Sequence, residues 1–231
     1  MVINWFSNFT KNKTLIQNKS KRNKNLARTL KMTIRKDNFS EEGNFRKAVH
    51  LPKGENINDW IAIQTVDLAE SSLLLWSMTE QYCNKKSCPL MSAGDKTTYL
   101  WSDGKSKPIY LPAKDYIRNT FNWIDKQFEN NKIFPISENE DYPKNFQKIV
   151  STIIKKMYRM YAHIYFSHFS DMEINGLESN INSFFKHLVF FIAEFKLLKP
   201  ADMAPLRSIL ERFLTDDEYF KLMKIKKRDF H

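Results

Sequence analysis

Two pairs of potential metal ligands, far apart in the sequence, constrain the fold of this chain more than any other feature. Cys83 and Cys88 are its only two cysteines, and His163 and His168 are separated by the same five positions. Two thiolates and two imidazoles are a complete tetrahedral ligand set for Zn²⁺. Because four protein ligands leave no position for water or substrate, such a site would join two distant segments without taking part in catalysis.

The spacing alone leaves other interpretations equally open. It is not the tight Cys-x-x-Cys of common zinc modules, and buried free cysteines often serve as small hydrophobic residues. On an ideal helix, residues five apart point about 140° away from each other. His163 and His168 therefore converge only near a helix end or a distortion. A disulfide is less favoured, because nothing indicates secretion and cytosolic thiols stay reduced.

The positive charge of the chain lies mostly at its N-terminus. The net charge is +11, yet residues 1–50 hold 12 Lys and Arg against three Asp and Glu, so the remainder is close to neutral. We interpret residues 1–36 as a basic flexible tail and 215–231 as a basic C-terminal extension. Basic runs can bind nucleic acid or anionic lipid. The tail lacks interleaved aromatic residues that stack on bases, so we expect no nucleic-acid partner.

Helical periodicity dominates the segment between these ends, residues 37–214. Apolar residues recur at helical spacing in stretches that begin near 58, 114, 145, 181 and 205. Asn58 or Asp59 is a candidate N-cap for the first of them. Segments 97–101 and 107–111 flank an Asp-Gly turn and predict one hairpin. No run of 18 apolar residues lacks charges, so we expect no transmembrane span. The predicted fold is mostly α: a helical bundle with one short β-hairpin and a structural zinc site.

Several motifs in this segment together resemble the Mob family (Mps-one-binder, or phocein domain), and within it the branch that activates kinases of the NDR/LATS class. The resemblance covers roughly residues 43–214 without a large gap. Its motifs are Gly54-Glu-Asn-Ile-Asn-Asp-Trp-Ile-Ala, Thr65-Val-Asp, Cys83 with Cys88-Pro-Leu-Met-Ser-Ala-Gly94, Tyr161-Ala-His-Ile-Tyr165 with His168, Phe184-Phe-Lys-His187, Glu194-Phe-Lys-Leu-Leu198 and Ala204-Pro-Leu206.

The resemblance implies a structural zinc ion held by Cys83, Cys88, His163 and His168. It also implies an adaptor or co-activator that is not an enzyme. The sequence agrees with this, because 163–168 reads His-Ile-Tyr-Phe-Ser-His and contains no carboxylate that could act as the general base of a zinc hydrolase.

A basic cluster lies on the predicted helix at 145–169. By resemblance, Lys155, Lys156 and Arg159 bind a phosphothreonine peptide from an upstream Hippo-type kinase. A dianionic phosphate favours several cationic donors, and Arg can bind it through two hydrogen bonds. Lys156 stands where the family has an arginine, and lysine is a point-charge donor only. The alternative is an ordinary solvated helix face.

An acidic face at the start of the first long helix is the second candidate surface. By resemblance it docks the basic N-terminal regulatory segment of an NDR/LATS-type kinase. The residues implied are Glu55, Asp59, Trp60, Ile63, Asp67 and His187. The alternative is favourable charge near a helix N-terminus, which accounts for Glu55 and Asp59 but not for Asp67, more than two turns further along.

The N-terminal tail departs most from the family pattern. In the kinase-activating branch, threonines of this arm are phosphorylated by the upstream kinase. Thr14 matches one of them, whereas no threonine aligns with the second, where Ser40 is the neighbour. We therefore expect an altered or weaker phosphorylation switch. We also expect a monomer located in the cytoplasm, in the nucleus or at cell-division structures. The second functional hypothesis is a phocein-like scaffold subunit of a phosphatase-kinase assembly.

Overall fold

The structure is a computed structural model that describes residues 42–137 and 139–224, together with Lys11 and Ile16. Helices dominate these residues, which confirms the mostly α prediction. They are α1 (Glu42–Val49), α2 (Ile57–Thr79), α3 (Ala113–Phe128), α4 (Phe146–Ser167), α5 (Phe169–Ile174), α6 (Glu178–Phe195), α7 (Pro200–Met203), a 3₁₀ turn (Ala204–Leu206), α8 (Arg207–Phe213) and α9 (Asp216–Met223). No helix in this part of the chain is long and apolar enough to cross a membrane.

Helix α2 lies at the centre of the bundle. Its N-cap is Asn56 and not Asn58 or Asp59, because the Asn56 Oδ1 atom accepts hydrogen bonds from the backbone N–H groups of both, at 2.8 and 3.3 Å. Buried residues occur on every side of α2, which packs against both α4 and α6. A helix that is apolar nearly all round is stable only inside a core.

Helix α4 ends two residues earlier than the sequence suggested. It stops at Ser167, and His168 leaves the helical conformation with φ −136°. A separate short helix, α5, begins at Phe169. This break rotates His168 away from the position that a continuous helix would give it. The convergence of His163 and His168 that the sequence allowed only at a helix end therefore occurs at one.

The predicted β-hairpin is wrong: among the described residues, segments 97–101 and 107–111 form no paired strands. They share one antiparallel bridge, in which Trp101 and Ile109 exchange backbone hydrogen bonds of 2.8 and 3.0 Å. Pairing cannot extend outward, because Met91 lies between Tyr99 and Leu111 and bonds to both of their backbones. Asp103 still makes the predicted turn, since its carboxylate accepts hydrogen bonds from the backbone N–H groups of Lys105 and Ser106.

Parts of both chain ends contribute to the core. Ile16, within the predicted tail, is only 1% exposed and belongs to the main hydrophobic cluster. Helix α9 lies within the predicted C-terminal extension, begins with a capping box between Thr215 and Glu218, and buries Tyr219 and Met223. The rest of residues 1–41 and residues 225–231 lie outside the described part of the chain.

Candidate metal centre and partner surfaces

The four predicted metal ligands come together in one buried cluster. The donor atoms of Cys83, Cys88, His163 and His168 all lie within 4.8 Å of one another. The Cys83 Sγ atom is 3.6 Å from Nε2 of His163, and the Cys88 Sγ atom is 3.4 Å from Nε2 of His168. This arrangement of donor atoms can hold a metal ion.

A local turn presents both cysteines to the cluster. Cys83 and Cys88 lie in the loop after α2, and the side chain of Asn84 organises it by accepting hydrogen bonds from the backbone N–H groups of Lys86 and Ser87 at 2.9 and 3.0 Å. The backbone N–H of Cys88 also donates to the Asn84 carbonyl, at 2.8 Å. Asparagine is favoured here because its short side chain can bond to the backbone two residues on. Sequence reasoning missed Asn84, although the Asn two residues before a Lys-Ser pair is a recognisable turn signal.

Neighbouring groups orient each imidazole through its other ring nitrogen. The Nδ1 atom of His163 lies 2.9 Å from the backbone oxygen of Ser92, and Nδ1 of His168 lies 3.3 Å from the carboxylate of Asp171. A carbonyl oxygen can only accept, so the Nδ1 of His163 carries the proton and its Nε2 presents a lone pair to the cluster. Such outer partners fix the ring orientation of metal-binding histidines. The ligand spacing gave no indication of Ser92 or Asp171.

Burial sets the protonation of the cluster. It raises the pKa of the Cys83 thiol, with a further contribution from Cys88 beside it. Burial also lowers the pKa of His163 to about 4 and lowers the pKa of His168. Both imidazoles are therefore neutral near pH 7, the form in which histidine binds a metal. Two buried thiolates would need a nearby cation, because burial without one favours the neutral thiols.

Comparison with known proteins shows the family of the chain. Residues 37–206 match the model of the Mob1/phocein family. The chain belongs to this family. Its relatives include MOB kinase activator-like 1 homolog B of Dictyostelium discoideum, 42% identical over 171 residues that cover 73% of this chain and 79% of the relative.

Two further relatives are similar over a comparable share of the chain. Maintenance of ploidy protein mob1 of Schizosaccharomyces pombe is 40% identical over 171 residues, 73% of this chain and 81% of the relative. MOB kinase activator-like 3 of Drosophila melanogaster is 36% identical over 177 residues, 76% of this chain and 80% of the relative.

Two of the three basic residues of the predicted phosphopeptide site, Lys155 and Arg159, are four residues apart and share one face of α4, whereas Lys156 points elsewhere. Lys155 forms an ion pair with Asp202 at 2.7 Å. Arg159 donates a 2.9 Å hydrogen bond to the Tyr116 hydroxyl and lines a pocket of about 620 Å³ next to α7. Lys156 is buried and is therefore the least accessible of the three to a ligand.

The surroundings of Lys156 are aromatic. Its ammonium group donates a 2.7 Å hydrogen bond to the Ser102 carbonyl and lies 4.0 Å from the ring centre of Trp101 and 5.1 Å from that of Trp123. Burial, and secondarily the charge of Arg159, lowers the pKa of Lys156 to about 8. Lys156 thus fastens the loop at 99–109 onto α4.

The predicted kinase-binding residues divide into two groups. Glu55, Asp59 and Asp67 are half-buried, at the start and along one face of α2. Trp60 and Ile63 are buried, and Trp60 donates a 2.8 Å hydrogen bond from its indole N–H to the Val49 carbonyl at the end of α1. These two residues bind α1 in this structure and could reach a partner only if α1 moved.

His187 belongs to the same internal contact. Its Nε2 atom is 3.0 Å from Oε1 of Gln64, and its ring stacks on Phe45 of α1 with ring centres 5.6 Å apart. Burial lowers the pKa of His187, partly offset by the charge of Asp67. The structure therefore places Asp67 close to His187. The predicted phosphorylation sites, Thr14 and Ser40, lie outside the described residues.

Proposed function

We propose that this protein is a non-catalytic adaptor that binds and activates a kinase of the NDR/LATS class. The observation that carries the proposal is the similarity to relatives whose names describe kinase activators, at 36–42% identity over about four fifths of their length. The chain contributes a rigid helical core, a buried ligand cluster and an acidic helix face to this function.

A zinc ion is the metal that best fits the cluster. Zn²⁺ favours cysteine and histidine ligands, and a set of two thiolates and two imidazoles is typical of closed structural sites. Cys83 and Cys88 would bind through Sγ and His163 and His168 through Nε2. The ion would supply the positive charge that two buried thiolates need, and it would leave no position for a substrate. Its role would be to fix the Cys83 loop against the end of α4.

The acidic face of α2 is the proposed docking surface for the basic N-terminal segment of the kinase. Asp59 and Asp67 are two helical turns apart on α2, with the buried Ile63 between them. Because Ile63 and its neighbours anchor α2 in the core, the carboxylates are held on a rigid support. If the partner segment binds better in the kinase's active conformation, docking shifts the kinase toward that conformation.

The basic residues of α4 would bind a phosphopeptide from an upstream Hippo-type kinase. Arg159, which lines the pocket beside α7, is the best placed to bind phosphate through two hydrogen bonds. Lys155 would contribute once phosphate competes with Asp202 for its ammonium group. Modification of Thr14 or Ser40 in the N-terminal arm would add a second layer of control.

A binding experiment with a charge reversal tests the docking proposal. Wild type and Asp67→Lys are used to capture kinases from a lysate treated with phosphatase inhibitors, and bound kinases are identified by mass spectrometry. Glu129→Lys, at an exposed position after α3, is the matched control. We expect an NDR/LATS-type kinase to bind wild type and the control, and to be lost with Asp67→Lys.

The other outcomes are equally informative. If Asp67→Lys still binds the kinase, the acidic face is not the docking site. If wild type captures no such kinase and instead captures phosphatase subunits, the phocein-like scaffold role replaces the co-activator role.

A further inference from the structure

A second charged surface lies away from both the metal cluster and the acidic face of α2. It is a cleft of about 1270 Å³ bounded by α1, the first turns of α4, the end of α6 and α9. Its apolar lining comes from Val49, Phe190, Ala193, Leu197, Leu198 and Leu222. Helices α1 and α9, on two sides of the cleft, are joined by Arg46, which makes two 2.8 Å hydrogen bonds to Glu218.

Every acidic side chain that lines the cleft already has a basic neighbour. Glu218 is paired with Arg46, and Asp202 is paired with Lys155 at 2.7 Å. The carboxylate of Glu194 lies 3.0 Å from Nδ1 of His50. Glu218 and Asp202 are thus neutralised by an arginine and a lysine, whereas a histidine is charged only when protonated, so Glu194 can still offset one positive charge of the cleft.

That remaining charge is large. Six further lysines line the cleft, all of them exposed, and none forms an ion pair with any residue that the structure describes: Lys47, Lys148, Lys196, Lys199, Lys221 and Lys224. Charges of one sign around a concave, partly apolar surface reinforce each other's field and attract ligands of opposite charge.

Lys148 carries a positive charge at a position where the helix favours a negative one. It lies in the first turn of α4, which contains no acidic residue and has no side-chain cap. The N-terminus of a helix carries partial positive charge, so a lysine there is unfavourable to the helix and an acidic residue would be favourable. Local helix stability therefore does not favour Lys148, which instead adds to the positive charge of the cleft.

The side chains that line the cleft favour one class of anionic partner over others. Nucleic-acid sites favour exposed aromatic rings and available arginines, but here Phe190 is buried and Arg46 is occupied by Glu218. Membrane-binding surfaces present large exposed apolar side chains, and those of the described residues, such as Tyr110 and Ile174, do not line this cleft. An apolar lining inside a ring of lysines fits a peptide that carries both acidic and apolar side chains.

We propose that this cleft is a docking site for an acidic, partly apolar peptide segment of a partner protein, separate from the acidic α2 face. It adjoins the proposed phosphopeptide residues, because Lys155 and Asp202 also line it, whereas Arg159 does not. Carboxylates of the peptide contact the six lysines, and its apolar side chains pack on the half-buried part of the lining, Ala193 and Leu222. The site makes the protein able to hold two segments of opposite charge at once.

Fluorescence anisotropy with a fluorescein-labelled peptide of repeating Glu-Glu-Leu tests the proposal on the full chain. We expect saturable binding that weakens as salt is raised, and much weaker binding of matched peptides of Gln-Gln-Leu and Glu-Glu-Ser. Lys148→Glu is the main variant, because it should weaken binding by about three- to tenfold while leaving the melting temperature equal to or above that of wild type. Loss of folding cannot produce that combination.

Controls and competing partners complete the experiment. Lys105→Glu and Lys132→Glu alter exposed lysines outside the cleft and should leave the affinity unchanged. Equal weakening by these controls, failure of the Glu-Glu-Leu peptide to bind, or equal affinity for the Glu-Glu-Ser peptide would overturn the proposal. Tighter binding of oligothymidylate or of phosphatidylserine vesicles, sensitive to Lys148→Glu, would overturn it in favour of those partners.

Discussion

The Sγ atom of Cys83 lies 3.6 Å from the Nε2 atom of His163, although 80 residues separate them in the sequence. Cys88 and His168 make the same long-range approach at 3.4 Å. The two contacts bring the loop after α2 against the end of α4. A metal bound at all four atoms would close this long loop and tie the helices in one register, and binding that occurs only in the folded state adds its free energy to folding.

Removing one ligand should therefore cost both the metal and much of the stability. We expect Cys88→Ser to lose tightly bound zinc and to lower the free energy of unfolding by at least about 3 kcal/mol. Metal content measured by mass spectrometry and denaturant unfolding check the two effects together. Chelation of zinc from wild type should reproduce the same loss of stability.

The control for this prediction is His50→Ala, which alters an exposed histidine far from the cluster in the fold. It should keep one zinc ion per chain and unfold close to wild type. If purified wild type contains no zinc, or if chelation leaves its stability unchanged, the cluster is an ordinary set of buried thiols and imidazoles.

The sequence predicted this cluster better than it predicted the elements around it. Ligand chemistry and family resemblance named all four residues, because few residue types bind zinc. The end of α4 before His168 was not predicted, since apolar periodicity continues past it. The hairpin prediction was wrong because the sequence signal, the turn at Asp103, is local. Strand pairing depended on Met91, which comes from elsewhere in the chain and bonds to the backbones of Tyr99 and Leu111.

Side-chain direction was the other limit of sequence reasoning. Lys155 and Lys156 were grouped with Arg159 as one phosphate-binding cluster. Adjacent helix residues point about 100° apart, so the two lysines face different neighbours. Lys155 reaches Asp202 on the surface, whereas Lys156 lies beneath Trp101. Which of two neighbouring positions is covered depends on the loop at 99–109, whose path is set by tertiary contacts.

The burial of Lys156 predicts a specific dependence of stability on pH. Its pKa is lowered to about 8 in the folded protein, against about 10.4 for an unfolded chain. Between these pH values the folded state has released the proton of Lys156, whereas the unfolded state still holds it. This group therefore makes the free energy of unfolding rise with pH from about 8 to 10. Lys156→Met should remove that rise and should be neutral or stabilising by up to about 2 kcal/mol at pH 7.

Urea unfolding of wild type and Lys156→Met from pH 7 to 10 measures this difference. Comparing the two proteins cancels the titration of cysteines and tyrosines that they share. Lys105→Met, at an exposed loop position, should follow wild type throughout. Parallel pH profiles for wild type and Lys156→Met would contradict the prediction.

The ion pair between Lys155 and Asp202 predicts a gain of binding. If Lys155 contributes to phosphate binding, Asp202 competes with the phosphate for its ammonium group. Asp202→Asn keeps the shape of the side chain and removes the charge, so we expect about a three- to tenfold higher affinity for a phosphothreonine peptide. Fluorescence anisotropy measures it, with Glu173→Gln as the exposed control. Unchanged or lower affinity would show that phosphate binds elsewhere.

The final prediction concerns the contact between the first and last described helices. Both nitrogens of Arg46 that bond to Glu218 lie 2.8 Å from its carboxylate, and this hydrogen bonding lowers the pKa of Glu218 to about 2. A carboxyl group with a lowered folded pKa contributes stability above its unfolded pKa of about 4.5 and loses it as pH falls toward 2. Because the side chains are about one third exposed, we expect a contribution of only about 1 kcal/mol at pH 7.

Glu218→Gln isolates this contribution, because the amide oxygen can still accept the backbone N–H of Thr215 in the capping box. The free energy of unfolding should be lower than that of wild type by about 1 kcal/mol at pH 7, and the difference should vanish near pH 2. Any metal bound at the Cys83 cluster would be lost from both proteins at low pH, so its loss cancels in the comparison. Glu129→Gln should show no such difference at any pH. A constant gap between Glu218→Gln and wild type down to pH 2 would mean that shape, and not charge, joins α9 to α1.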